Sequence, residues 1–214
     1  VSFLLGKTVL GSVAGQEKLS VVDIVENAVD ETDSTVTNIA RLLQSLDEDN
    51  NLDNGIAISQ TIRSAFAEVE LSVTKSITAF ENSLGLTSLL ASLNVSLVST
   101  ADAQSHIRSS VIENIVAGTY AGTYGGDDTG TWQVSVNSSG EIAGTGNSDM
   151  VGSFTITGQM SNSYGATMLA SGSAFQGLIG GTYTVTFTSD GRITGSWVDP
   201  QYGMSGSVSG SKTN

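Results

Sequence analysis

In the stretch LDEDNNLDNG, oxygen-bearing side chains recur at alternate positions: Asp47, Asp49, Asn51 and Asp53. Alternate Asp and Asn in a loop can converge on one hard cation, which asks for about six to eight oxygen ligands. The spacing matches the opening ligand positions of a calcium loop and then departs from it. Leu52 stands where such a loop needs its turn glycine, and Ile58 where it needs its closing glutamate. Two readings follow. One is a calcium site on these four residues. The other is a solvated turn that caps the preceding helix, with Asn54-Gly55 reversing the chain.

The remaining chemistry is sparse. The chain has no cysteine, which excludes a thiol nucleophile, a disulfide framework and thiolate-bound zinc. His106 is the one histidine, so a multi-histidine metal site is excluded too. A serine nucleophile paired with His106 would want a G-x-S-x-G elbow between strand and helix, and no such string occurs. Asp127 and Asp128 are adjacent in YGGDDTG, where neighbouring side chains of an extended chain diverge. They read as a polar hairpin tip, not as an acid/base pair. The string GLIGGTY lacks the lysine and following helix of a phosphate loop. These residues predict no catalysis, and no cofactor other than calcium.

Aromatic residues are few. Trp132, Phe154, Phe175, Tyr183 and Phe187 alternate with polar residues and are expected to fill a β interior. Tyr120, Tyr124, Trp197 and Tyr202 are expected at strand ends and loops, where an aromatic-rimmed cup could hold a small ligand.

The elements that must position these groups change style near Ala117-Gly118. Before it, Val36, Ile39, Leu42, Leu43 and Leu46 keep helical spacing, behind a cap at Asp33 or Ser34. Ser99 with Asp102 has capping-box spacing, and Ile107, Val111, Ile112 and Ile115 continue a stripe. Four or five short helices are predicted over residues 20–117, with Gly85 interrupting or ending a turn. The leading VSFLLGKTVLGSV, with Gly6-Lys7 between apolar runs, predicts a small hairpin or an edge strand.

After Gly118 the period is two. GTWQVSVNSSGEIAGTG (130–146) and GTYTVTFTSDGRITGSW (181–197) align without a gap, 51 residues apart. The repeat implies two similar half-units of about four strands each. Strands are predicted near 119–124, 130–137, 141–146, 150–158, 166–172, 174–179, 181–188, 192–198 and 203–210. So long a meander with so few charges guarding its edges closes most safely into a barrel. An open sandwich is the alternative. The fold class is therefore α+β: a mainly helical domain over 1–117, then an antiparallel β-barrel of eight or nine strands over 118–214.

Acids outnumber bases 21 to 8, for a net charge of −13. That excludes nucleic acid and anionic membrane as natural partners and favours cations or a basic partner. No apolar run is long enough for a membrane-spanning helix. Val1–Val13 lacks the basic lead of a secretion signal, so an exported protein of this sequence would be a mature form or a fragment.

The strings VSFLLGKTVLGSV, VTNIARLLQSLDEDNNLDNGIAIS and LVSTADAQSHI resemble an N-terminal module of secreted proteins and lipoproteins of marine gammaproteobacteria. Asn38-Ile39-Ala40-Arg41 and Asn54-Gly55-Ile56 carry the likeness, which covers most of residues 1–115. It implies a bacterial cell-surface or secreted unit joined to a Gly/Thr-rich β domain, and it carries no activity with it. Residues 118–210 also resemble, at the level of the fold, an avidin-type meander; no biotin-binding set transfers.

The leading functional expectation is a non-enzymatic extracellular structural or adhesive protein. It would act through contacts with other copies, as a fibre or matrix subunit associating through residues 1–13. The alternatives are a small-ligand-binding barrel of lipocalin or avidin type, and an accessory domain of a secreted hydrolase.

Overall fold

The structure is a computed structural model that describes residues 1–15, 17–172 and 179–213. The chain divides into two compact units, Val1–Arg108 and Ser109–Asn214.

The first unit opens with a hairpin, β1 (Ser2–Leu5) and β2 (Thr8–Ser12), turning at Gly6 with φ +60°. The leading segment thus pairs with itself. Its helices are α1 (Val21–Ile24), α2 (Ser34–Ser45), α3 (Gln60–Phe66), α4 (Ile77–Glu81), α5 (Leu84–Leu93) and α6 (Thr100–Val111). Asp33 caps α2 by accepting from the Thr35 and Val36 N–H groups. At the start of α6, Ser99 Oγ accepts the Asp102 N–H at 3.1 Å, one half of a capping box, and donates to the Asp102 carboxylate at 2.6 Å.

Ile39, Leu42 and Leu46 of the α2 stripe join Phe66, Phe80 and Leu86 in the core. Thr37, Asn38, Arg41, Gln44 and Ser45 of α2 are buried as well, and each makes at least one hydrogen bond. Asn38 Nδ2 donates to the Val73 and Lys75 carbonyls, both at 2.8 Å. Arg41 Nε donates to the Val98 carbonyl at 2.7 Å, and Nη1 reaches Glu81 at 3.0 Å. The Asn-Ile-Ala-Arg string is thereby a clasp: its apolar residues fill the core while its polar ones hold two distant loops.

Two helix expectations change. The segment FENSLGLTSLLASL breaks at Ser83, which takes extended geometry as the N-cap of α5, and Gly85 lies inside that helix and does not end a turn. With the single turn of α1, this gives six α-helices among the described residues in place of four or five. The stripe of α6 also shifts. The helix widens into a π turn over Ile112–Val116, closed by Ala117 N–H on the Ile112 carbonyl at 2.7 Å. The extra residue per turn moves burial from the expected Ile115 to Val116, which is 0% exposed.

The second unit is a closed antiparallel barrel of eight strands. They are β3 (Gly118–Gly126), β4 (Gly130–Val136), β5 (Glu141–Ser148), β6 (Gly152–Met160), β7 (Gly165–Ser171), β8 (Ile179–Phe187), β9 (Arg192–Asp199) and β10 (Met204–Thr213). Each strand pairs with its sequence neighbour, and β10 pairs with β3 to complete the ring. The ninth predicted strand, 174–179, lies outside the described residues except for Ile179, which begins β8. The π turn is tied to this unit: Tyr120 OH donates to the Val116 carbonyl at 2.7 Å, and Lys212 Nζ to the Ile115 carbonyl at 2.8 Å. The units therefore divide earlier in the chain than the change of period at 117/118.

The sequence repeat is a structural repeat. The β4–β5 and β8–β9 hairpins stand four strands apart in a ring of eight. Their turns match in detail: Gly140 and Gly191 both have φ +81°, a conformation open to glycine. Val134 faces Gly144 in one hairpin as Val185 faces Gly195 in the other.

An eight-stranded barrel leaves an interior just wide enough for side chains, so large residues must face small ones. Trp132 is paired with Gly122 of β3, and Gly122 in turn with Gly210 of β10. Trp197 is paired with Gly206, and Gly206 with Gly126. Each indole lies where two strands present no side chain.

Candidate ligand-binding site

The strand ends that carry the β3–β4, β5–β6 and β9–β10 loops form one mouth of the barrel. There a cavity of about 210 Å³ is walled by the rings of Tyr124, Phe154, Tyr183 and Trp197. Tyr124 is the hub. It meets Trp197 edge-on at 5.8 Å between centroids, Tyr183 at 6.1 Å and Phe154 at 6.2 Å. Met150 and Val151 of the β5–β6 loop and Tyr202 of the β9–β10 loop stand at the rim, all exposed. Here the sequence expectation is corrected: Tyr120, Tyr124 and Trp197 are interior residues and not strand-end ones. β3 starts at Gly118, which puts Tyr120 and Tyr124 on the inward alternation. Tyr202 is a loop residue as expected. Phe175 lies outside the described residues.

Two carboxylates border the cavity, Asp128 and Asp199. Asp128 Oδ2 accepts from Tyr124 OH at 3.0 Å and from Ser148 Oγ at 2.7 Å, and Oδ1 from the Thr129 N–H at 2.7 Å. Asp199 is 5% exposed, and its Oδ1 accepts the N–H groups of Gln201 at 2.9 Å and Tyr202 at 3.3 Å. Ser148 Oγ also accepts the Met150 and Val151 N–H groups. The Trp197 indole N–H is committed to the Gly125 carbonyl at 3.1 Å.

Asp128 was expected only at a polar tip; its shared oxygen ties that tip to the cavity. Ser148 and Asp199 were not expected at all. They are equivalent positions of the repeat, two residues past the aligned strings, and both are buried polar groups. Extending the alignment by two residues would have marked them.

Burial pushes the Tyr124 hydroxyl up to about 12, with the nearby Asp128 charge adding to the rise. Burial likewise pushes Tyr120 up to about 12, and Tyr183 well above its ordinary range. The site rings are thus neutral at any physiological pH. A tyrosine whose folded pKa is raised contributes stability that is whole below the unfolded pKa of 10.0 and is lost as pH rises through the folded value. The barrel is expected to weaken between pH 10 and pH 12. A spectrophotometric tyrosinate titration should show these three ionising late, together with loss of β-sheet dichroism. Ionisation near pH 10 with the fold intact would contradict it.

The acidic loop follows α2 directly. Asp47 is buried; its Oδ1 accepts the Ala57 N–H at 2.7 Å, while Oδ2 has no hydrogen-bond partner among the described residues. Asp49 is exposed, and its carboxylate accepts from Asn54 Nδ2 at 2.8 Å and the Asn51 N–H at 3.0 Å, which hold its pKa below the usual value. The Asp47 and Asp49 side chains are neighbours. The side chain of Asp53 lies outside the described residues. Among the described residues no three of His, Cys, Asp or Glu are grouped as a metal requires. The loop is a turn closed largely by its own hydrogen bonds.

His106 sits half-buried on α6, with no hydrogen bond to a serine or carboxylate among the described residues. Asp127 accepts from the Ser205 N–H at 2.8 Å, pinning the β3–β4 loop to β10. No helix among the described residues is long and apolar enough to cross a membrane. The chain matches no protein-family model, and no curated protein matches it.

Proposed function

We propose that the barrel is a non-enzymatic binding cup for a small molecule, in a protein that works outside the cell. The observation that carries this reading is the cavity at one mouth, walled by four aromatic rings. The nearby hydroxyls of Tyr124 and Ser148 are locked onto Asp128, as pre-formed sites require. The exposed rim of Met150, Val151 and Tyr202 gives an entering ligand apolar surface to cover. Low charge and an abundance of Gly, Ser and Thr support an extracellular setting. A thermal-shift screen with amines, sugars, vitamins and fatty acids tests the cup. At least one class is expected to raise the melting temperature and to change Trp197 fluorescence, and Trp197→Phe should abolish the optical change. A screen with no shift would remove the reading.

A second reading is association between copies, favoured by one observation on the β1–β2 hairpin. Leu4 and Val9 are directly paired across the strands, and they are 58% and 60% exposed. Light scattering of the full chain and of a form lacking residues 1–13 is expected to show association only in the former. A monomer in both cases would defeat it.

A further inference from the structure

The barrel's bases lie at one end, together with Glu141 and Asp190, and the mouth carries acids alone. Asp127, Asp128 and Asp149 lie in the loops of the mouth, and Asp199 closes β9 there. The barrel's own bases, Arg192 and Lys212, belong to the opposite end, where β9 begins and β10 finishes. Arg192 pairs with Asp190 at 3.2 Å, and Lys212 is bonded to the Ile115 carbonyl. Segment 172–178, between β7 and β8, contains no charged residue in its sequence.

The cavity's donors are equally one-sided. The Tyr124 hydroxyl and the Ser148 hydroxyl are spent on Asp128, and the Trp197 N–H on Gly125. Among the described residues, what remains for a ligand is carboxylate oxygen, aromatic surface and the Tyr183 and Tyr202 hydroxyls, which can donate or accept. An anion would meet two carboxylates at a site with no base of the barrel to offset them, and its desolvation would go uncompensated. A cation is attracted by both the carboxylates and the ring quadrupoles. A cavity of about 150 Å³ holds a benzene ring. At about 210 Å³, this one takes a single ring or short alkyl body bearing one charged head.

Resting on the binding-cup reading above, we infer that the ligand is a small organic cation, a primary or quaternary ammonium on an apolar body. The head lies between Asp128 and Asp199, and the body lies against Tyr124, Phe154, Tyr183 and Trp197. Rim acids Asp127 and Asp149 add long-range attraction, so binding weakens with added salt.

The test is calorimetric titration of the full chain with three matched probes: phenethylamine, the neutral 2-phenylethanol and the anion hydrocinnamate. Benzyltrimethylammonium serves as the quaternary form. Both ammonium probes are expected to bind at least ~tenfold more tightly than the alcohol, and hydrocinnamate not at all. Asp199→Asn should weaken the amine by about five- to tenfold, and Asp128→Asn likewise, while Glu141→Gln at the far end leaves it unchanged. Since Asp128 holds Tyr124 in place, the salt dependence of amine binding to the unaltered protein is the independent readout. Alcohol or anion binding as tight as the amine, or amine affinity indifferent to salt, would overturn the cation class and leave the cup standing. No saturable binding by any of the probes, with no member of the wider thermal-shift screen active, would overturn both.

Discussion

Gly122→Val is expected to prevent the barrel from closing. A methyl at this position would lie 2.0 Å from the Ser209 carbonyl oxygen, 2.6 Å from the Gly210 Cα and 2.6 Å from the Trp132 ring. Two of these are backbone, and the third is a large ring set between strands. Overpacking a core costs about 1–3 kcal/mol where neighbours can give way. Here they cannot, and the β3–β10 pairing is the contact that must yield. The expected result is loss of more than ~3 kcal/mol, read as a lowered urea midpoint, together with exposure of Trp132 in its emission. Ser209→Ala, on the outer face of the same seam, is the control and should be near neutral. A Gly122→Val protein as stable as the parent would mean that the indole and the glycine pair do not interlock.

Arg108→Ala is expected to destabilise the helical unit by about 3 kcal/mol. Glu31 is 0% exposed, and Arg108 places Nη2 at 2.6 Å and Nε at 2.7 Å from its Oε1. The same corner is knit further: Thr37 Oγ1 donates to the Glu31 carbonyl, and Gln104 Nε2 donates to Thr37 Oγ1. Removing the guanidinium leaves a buried carboxylate without its ion-pair partner, which costs more than the pair itself contributes. Arg108→Lys should recover only part, because an ammonium cannot present two N–H groups in one plane. Glu31→Gln should cost less than Arg108→Ala, since it removes the charge that would otherwise be stranded. Chemical denaturation followed by helical dichroism reads all three. Equal stability of Arg108→Ala and the parent would show the pair to be idle.

The barrel was legible in the sequence because its signals are local and repeated. Alternation in Trp132–Val136 and Tyr183–Phe187, with glycine at 140 and 191, names a strand period and a turn conformation together. Asp33 and the Ser99–Asp102 pair were legible for the same reason, since a cap is decided within four residues. Gly85 was misread because tolerance of glycine near a helix start depends on where the N-cap falls, and Ser83 outcompeted it. The shift from Ile115 to Val116 needed the π turn, which no apolar spacing announces. The cavity was half legible. Its rings were noticed, but the inward placement of Tyr120, Tyr124 and Trp197 depends on which residue starts each strand. Asp128 read as a loop tip because Ser148 is brought beside it by the β4–β5 register, which pairs Ser148 with Gly130, and spacing along the chain does not show that register. In the acidic loop, Asp49 accepts from the Asn51 N–H and from Asn54 Nδ2, contacts that alternate spacing alone does not announce.

Every pairing in the barrel but one joins strands adjacent in the chain; the exception is β10 with β3. Hairpins can therefore form quickly and in any order, whereas the last pairing must gather residues such as Thr119 and Thr213 from opposite ends of the unit. Closure is expected to be the late, slow step of assembly, which stopped-flow refolding of a β3–β10 seam variant would check. Lesions along that line should accelerate opening far more than they retard collapse. Protease resistance of the barrel is then expected to track the stability of that single seam.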